Sequence, residues 1–452
     1  MSVQAYIDQN ESRYREELFN LLRIPSISTD SSKKEDIRKA AQFLKAQFDG
    51  MKPHRVDIFE TPGHPIVYAE FMAGADKPTV LVYGHYDVQP PDPLNLWNTP
   101  PFEPTVIDGK VYARGSSDDK GQAYTHVKAI EAYVKTGTPL PANVKFILEG
   151  EEEIGSPNLV PFVEAHKDLL KCDMVLISDT AMFAKDVPSL TYGLRGLAYM
   201  EVEVTGPNRD LHSGVYGGAI DNPVNVLCQM IAALKDEKGR ILIDGFYDDV
   251  RALTEKERAE YRALPFDEAA CKKELGVDAL FGEEGYSTLE RASARPTVDV
   301  NGIWGGYTGE GAKTVLPSKA NAKISMRLVP NQEPKKIAAL FEKHFKKLAP
   351  PTVKVEVHEH HGGWPAITDL EFSGIKAAAR AFEKVYGKKP LFAREGGSIP
   401  IVAQFKRILG ADSILMGFGL NTDALHSPNE HFHLADYQRG IKVSAQFFEE
   451  LT

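Results

Sequence analysis

Val80-Leu81-Val82-Tyr83-Gly84-His85-Tyr86-Asp87 is an apolar run that ends in ionisable residues. It reads as a strand, and three other runs have the same texture: Ile66 to Phe71, Val144 to Glu149 and Met174 to Ser178. Between them the apolar residues fall at helical spacing, over Ile37 to Phe48 and Gln122 to Val134. Strands alternating with helices predict an α/β domain. A helix opens the chain from Val3 to Leu22 and stops at Ile24-Pro25-Ser26, because proline disfavours helix in the residue before it. Prolines at 90, 91, 93, 100, 101 and 104 make Gln89 to Pro104 an irregular loop.

Beyond Gly193 the texture changes. Ala198 to Val204, Ala322 to Leu328 and Val353 to Val357 alternate apolar with polar residues, as strands with one wet face do. This predicts a separate α+β insert. After Gly362-Gly363-Trp364-Pro365 come a helix over Phe372 to Val385, an apolar strand over Ser413 to Phe418 and a helix over Asp436 to Phe448, so the first domain resumes. The expected division is 1–192, 193–364 and 365–452.

Composition narrows the function classes. The 452 residues exceed one typical domain, and 42% hydrophobic with 26% charged residues describes a soluble globular protein. A net charge of −10 argues against a nucleic-acid or anionic-membrane binder. There is no apolar stretch of about 18 residues for a membrane span. Cys172, Cys228 and Cys271 are widely spaced and form neither a disulfide framework nor a CxxC site. With an N-terminus lacking the apolar core of a signal peptide, the expectation is the cytoplasm.

The ionisable residues of interest lie just past the ends of the predicted strands, where open α/β sheets place their sites. His85 and Asp87 point the same way on a strand, so Asp87 can orient His85; alone, such a pair is as readily structural. In Ala113 to Gly121, one of Asp118 and Asp119 is explained as a helix cap, but two adjacent carboxylates repel unless a cation or helix N-terminus is near. Leu148 to Ser156 places Glu149, Glu151, Glu152 and Glu153 after an apolar strand, either as a solvated acidic loop or as a metal site. Asp179 follows the run that ends at Ser178, and His426 lies within Asp423 to Glu430; each is bland by itself. Together they form a His/Asp/Glu set without cysteine, which suits zinc or manganese.

YGHYDVQPPD, ARGSSDDKG, LEGEEEIGS, ISD, DLHSGVYGG, GAKTVLP, REGGSIP and ALHSPNE occur in this order. With them the chain resembles the co-catalytic two-zinc metallopeptidases that include carnosine and cytosolic nonspecific dipeptidases, glutamate carboxypeptidases, aminoacylases and acetylornithine deacetylases. The resemblance spans essentially the full length and is nearest to the cytosolic nonspecific dipeptidase branch. It implies a phosphorylase/hydrolase-like catalytic domain, a mixed sheet flanked by helices, with an inserted α+β lid that dimerises. It further implies that His85 and Asp179 hold one ion, Glu153 and His426 the other, and Asp118 both. Such ions sit about 3.5 to 4 Å apart, share a water and polarise the scissile carbonyl. Glu152 matches the general base and Asp87 the partner of His85, and the Asp118-Asp119 peptide is cis in relatives. His212 matches a histidine that reaches the partner subunit's site, and Thr314, Arg327 and Ser398 match substrate-binding positions. His361 is a further candidate, with His360 beside it leaving the register open. Asp179, where carboxypeptidase and deacylase relatives tend to carry Glu, favours a dipeptidase acting on a small peptide.

Rival motifs fail on spacing. Gly306 to Thr314 lacks the Gly-Lys step of a P-loop because Ala312 intervenes, and His358-Glu359-His360-His361 has Gly362 where HExxH needs its second histidine. His426 to His431 has one residue too many for HxxEH. An N-acyl-amino-acid deacylase or carboxypeptidase on the same metals is the alternative activity, and a non-enzymatic peptide-binding protein is the third class.

Overall fold

The structure, a computed structural model, describes residues 1–397 and 399–451. Its contacts divide the chain into two units, one of residues 1–192, 368–393 and 404–452, the other of 193–367 and 394–403.

The first unit is α/β. Its mixed sheet runs in the order Arg55–Phe59, Ile66–Phe71, Asn143–Glu149, Thr79–His85, Met174–Ile177, Asp412–Leu415 and Ser189–Leu194, the last two residues of which count with the second unit. Four neighbours, Asn143–Glu149, Thr79–His85, Met174–Ile177 and Asp412–Leu415, are parallel. Their residues are almost all buried, which is why the sequence there is apolar without alternation. Parallel neighbours need crossovers, and the helix Lys120–Thr136 supplies the one between Thr79–His85 and Asn143–Glu149. Register aligns His85 with Glu149 and Tyr83 with Ile177, so the chain leaves three strands at one edge of the sheet.

Every residue of the crossover helix from Lys120 to Tyr133 is buried. Its charges are matched internally: Lys128 meets Glu131 at 2.7 Å, and the Lys120 ammonium donates to the carbonyls of Leu21 and Ile24. Gly84 lets this helix approach the sheet, since a Cβ there would come within 2.7 Å of the Ala123 methyl and 2.9 Å of the Asp119 carboxylate. The lack of a side chain at 84 thus brings the start of the helix beside His85.

Two local expectations change. The opening helix is broken into Val3–Gln9 and Glu11–Leu22 at Asn10, whose side-chain amide donates to the Tyr6 carbonyl and competes with the helical ladder. The apolar run from Ser413 is a strand only to Leu415; Gly419–Leu420 then pairs in parallel with Ala181–Met182.

The second unit is α+β. Its antiparallel sheet has the order Thr297–Gly305, Lys319–Leu328, Gly196–Thr205, Lys354–Gly363. Ala198, Met200, Val202 and Val204 alternate with Ala320, Ala322, Ile324 and Met326 on one face, which packs with the helices Pro223–Ala232 and Pro334–Leu348 into a core. The alternation of these strands follows from that one-sided burial.

Candidate active site

The three strand ends in the first unit deliver His85 and Asp87, the acidic turn, and Asp179. His85 is the last residue of its strand and fully buried. Its Nδ1 lies 3.1 Å from the Asp87 carbonyl oxygen and 3.4 Å from the Asp87 carboxylate. Its Nε2 faces Asp118 Oδ1 at 3.2 Å and Asp179 Oδ2 at 3.9 Å. A histidine tied at Nδ1 presents Nε2 as a ligand. Asp87 also accepts the amide N–H groups of Glu152 and Glu153 at 3.2 and 3.1 Å, so one carboxylate fixes both His85 and the acidic turn.

The acidic run is divided by its partners. Glu149 accepts from the Tyr83 hydroxyl at 2.6 Å and the Ser156 hydroxyl at 2.8 Å. Glu151 accepts from the His64 amide and the Asn158 side chain. Glu152 and Glu153, in the 3-10 turn Glu152–Ile154, remain for the site. Glu153 Oε2 accepts from Gln89 at 2.7 Å and lies 3.4 Å from His426 Nε2, while its buried Oε1 has no hydrogen-bond partner. Gln89 was not among the sequence candidates, because the prolines around it read only as an irregular loop.

Asp118 joins the two halves. Its Oδ1 faces His85, and its Oδ2 meets His426 Nε2 at 2.9 Å. The peptide from Asp118 to Asp119 is cis. Glu430 also escaped the sequence reading: buried, it accepts the amides of Gly115, Ser117 and Asp118 and pairs with Arg114.

Charge is strongly concentrated here. Burial pushes the Glu153 carboxyl up to about 8, with Asp118 adding to it and His85 opposing. Burial and Asp118 likewise hold Asp179 well above the usual carboxylate range. Glu152 is raised by burial, with His85 pulling it down and Asp118 up. Burial would raise Asp118 too, but the hydrogen bonds from His426 and His85 bring it well below its ordinary value. A pocket that must gather protons or cations to carry so many carboxyls fits metal ions. His85, Asp118 and Asp179 offer ligand atoms within 4.8 Å of one another, and so do Asp118, Glu153 and His426. Two such triads sharing one carboxylate offer ligands for two metal ions, and oxygen with imidazole nitrogen suits zinc or manganese.

His212, Thr314, Arg327 and His361 belong to the second unit. His212 is exposed in the short strand Leu211–His212, paired with Val315–Leu316. Its Nδ1 accepts the Gly214 amide at 2.9 Å, so the neutral ring carries its proton on Nε2 as an outward donor. Thr314 is brought beside it, its carbonyl accepting the Ser213 amide at 3.0 Å. Arg327 and His361 lie on the outward face of the larger sheet, opposite Leu197 and Tyr199. The His361 ring stacks on Tyr199 at 5.3 Å, which gives it a packing role as well. Ser398 lies outside the described residues.

A model of peptidase family M20/M25/M40 matches residues 81–450. The Cys-Gly metallodipeptidase dug1 of Schizosaccharomyces pombe is 35% identical over 461 residues, covering 98% of this chain and 97% of that protein. The solved dipeptidase Dug1p from Saccharomyces cerevisiae has a TM-score of 0.80 at 32% identity, with 99% of this chain and 98% of that chain covered. A metallo-carboxypeptidase, Sso-CP2 from Sulfolobus solfataricus, has a TM-score of 0.84 at 36% identity, with 97% and 99% covered.

Proposed function

The chain belongs to peptidase family M20/M25/M40, and we propose that it is a metal-dependent dipeptidase that hydrolyses the peptide bond of free Xaa-Xaa dipeptides. The observation that carries this reading is Asp118, with one carboxylate oxygen toward each of two histidines in adjoining ligand triads.

In this reading His85 and Asp179 hold one ion, Glu153 and His426 the second, and Asp118 both. Two zinc or manganese ions bound there supply charge that polarises the scissile carbonyl and acidifies an attacking water. Glu152 takes the proton from that water and hands it to the leaving amine; its buried position raises its carboxyl above its ordinary value, which makes it a stronger proton acceptor. Asp87 keeps the His85 ring in the tautomer that leaves Nε2 free. Arg327 pairs with the C-terminal carboxylate of the dipeptide, and Thr314 lines the same substrate. His212 of the partner subunit donates from Nε2 to the developing oxyanion, so the active form is a homodimer. Support for this donor is the Gly214 amide on Nδ1. The cytoplasm is taken as the place of action, on the strength of three free cysteines; no helix among the described residues is long and apolar enough to cross a membrane.

The likeness to Sso-CP2 favours a second reading, in which the same groups release the C-terminal residue of longer peptides. Protein stripped by a chelator and reloaded with zinc or manganese is assayed on a free dipeptide, its N-acetyl derivative, an N-acetyl amino acid and a tetrapeptide. The dipeptidase cleaves the free dipeptide best, and only when metal is restored. Preference for the tetrapeptide establishes the carboxypeptidase, and preference for acylated compounds a deacylase.

A further inference from the structure

A second group of metal-ligating side chains lies outside the paired site, within the first unit. The strand His431–His433 pairs with Lys110–Tyr112, and alternation puts His431 and His433 on one face. Asp423 completes the group: its ligand atom and those of the two histidines lie within 4.8 Å of one another. Asp423 is fully buried. Its Oδ2 accepts from the Ser117 hydroxyl at 3.0 Å and the Leu420 amide at 2.8 Å, but its Oδ1 has no hydrogen-bond partner and lies 3.7 Å from His431 Nε2. A buried carboxylate oxygen left without a donor is costly unless a cation meets it.

The histidines are prepared for the same role. His431 Nδ1 lies 3.0 Å from the Asn429 carbonyl, so it carries the ring proton and leaves the Nε2 lone pair facing Asp423. His433 is half-buried on the same strand face as His431 and brings its own ligand atom into the group. Lys110 is the competitor: its ammonium donates to His431 Nε2 at 3.2 Å, and an ion that takes His431 must displace it.

We propose that Asp423, His431 and His433 form a third cation site, of the zinc class, apart from the catalytic pair. Two imidazole nitrogens and one carboxylate oxygen leave room for water, as three-ligand zinc sites do. The ion engages Oδ1 of Asp423, while Oδ2 holds Ser117 with or without it, so the position of Asp118 does not depend on the ion. It takes no part in bond cleavage.

The test is zinc per chain by elemental analysis, on wild type and H433A equilibrated with up to about 10 μM free zinc in a chelator buffer. Wild type holds three ions and H433A two, with dipeptide turnover agreeing within about twofold. A wild type that saturates at two ions, or an H433A protein that keeps three, overturns the proposal. K110M provides the second arm, and removal of the competing ammonium lowers the free zinc needed for the third ion by about tenfold. Unchanged zinc demand in K110M overturns the proposal even where H433A fails to fold. Three ions in a protein without dipeptidase activity would count against the proposed reaction and leave this site standing.

Discussion

Glu430 grips the backbone of Asp118. Its Oε1 accepts the Asp118 amide at 3.1 Å and the Ser117 amide at 3.0 Å, and its Oε2 takes the Gly115 amide at 3.0 Å and the Arg114 guanidinium at 2.8 Å. The carboxylate read as the bridge between two ions is thus aimed by a second carboxylate that faces its backbone, about 300 residues away in sequence.

Glu430→Gln keeps the shape but removes the charge that answers buried Arg114. Metal affinity falls by about 10- to 100-fold, the range for losing an outer partner of a ligand. The unpaired Arg114 costs about 3 kcal/mol of stability. Competition with a chromogenic chelator reads the first effect and denaturant titration the second. Metal affinity equal to wild type would show that Glu430 only packs the loop.

The parallel strands were legible because apolar runs that end in charge carry their own signal, and His85, Glu153 and Asp179 stand at or just past those ends, while Asp118 stands just before the helix Lys120–Thr136. Glu430 carried none, since its role exists only once the loop bearing it reaches residues 114–118. The acidic run could not be divided either: Tyr83, His64 and Asn158, which occupy Glu149 and Glu151, come from elsewhere in the fold. In the second unit the helices Glu255–Ala263 and Thr288–Ser293 did announce themselves, through the capping boxes Thr254 with Glu257 and Ser287 with Glu290.

Glu152→Ala separates proton transfer from metal binding. The ligand set is untouched, so the two catalytic ions stay bound, while turnover falls by at least about 10²-fold. Elemental analysis and a dipeptide assay on the same sample check both halves. Undiminished turnover removes Glu152 from the mechanism.

Metal removal makes stability depend on alkaline pH. In the metal-free protein, burial, aided by Asp118 and opposed by His85, raises Glu153 to about 8, and the hydrogen bond to Asp118 raises His426 to about 9. Unfolded values are about 4 for the carboxyl and 6.5 for histidine. Folded values above unfolded ones give stability that is complete below the unfolded value and is lost as pH rises through the folded one. The stripped protein therefore loses about 5 °C of Tm between about pH 6 and pH 9. The loaded protein, whose cations take the place of those protons, stays nearly level over the same range. Parallel melting curves for the two forms would sink the assignment of Glu153 and His426 to a cation site.

His212 decides whether one chain suffices. Its exposed ring, with Nδ1 on the Gly214 amide, has Nε2 free to donate outward. Loss of one oxyanion donor costs about 10²- to 10³-fold in turnover, and His212→Ala falls by that amount with little change in metal content. Glu152→Ala is inactive for a different reason, in the proton-transfer group. If His212 serves the partner's site, a hybrid of the two variants contains one site with both an intact Glu152 and an intact His212. Mixing the inactive proteins, with brief exposure to mild denaturant so that subunits exchange, then restores up to about a quarter of wild-type activity: random exchange makes half of the dimers hybrids, each with one working site. Were His212 to act within its own chain, every site in the mixture would lack one group or the other, and activity would stay at the level of the separate variants.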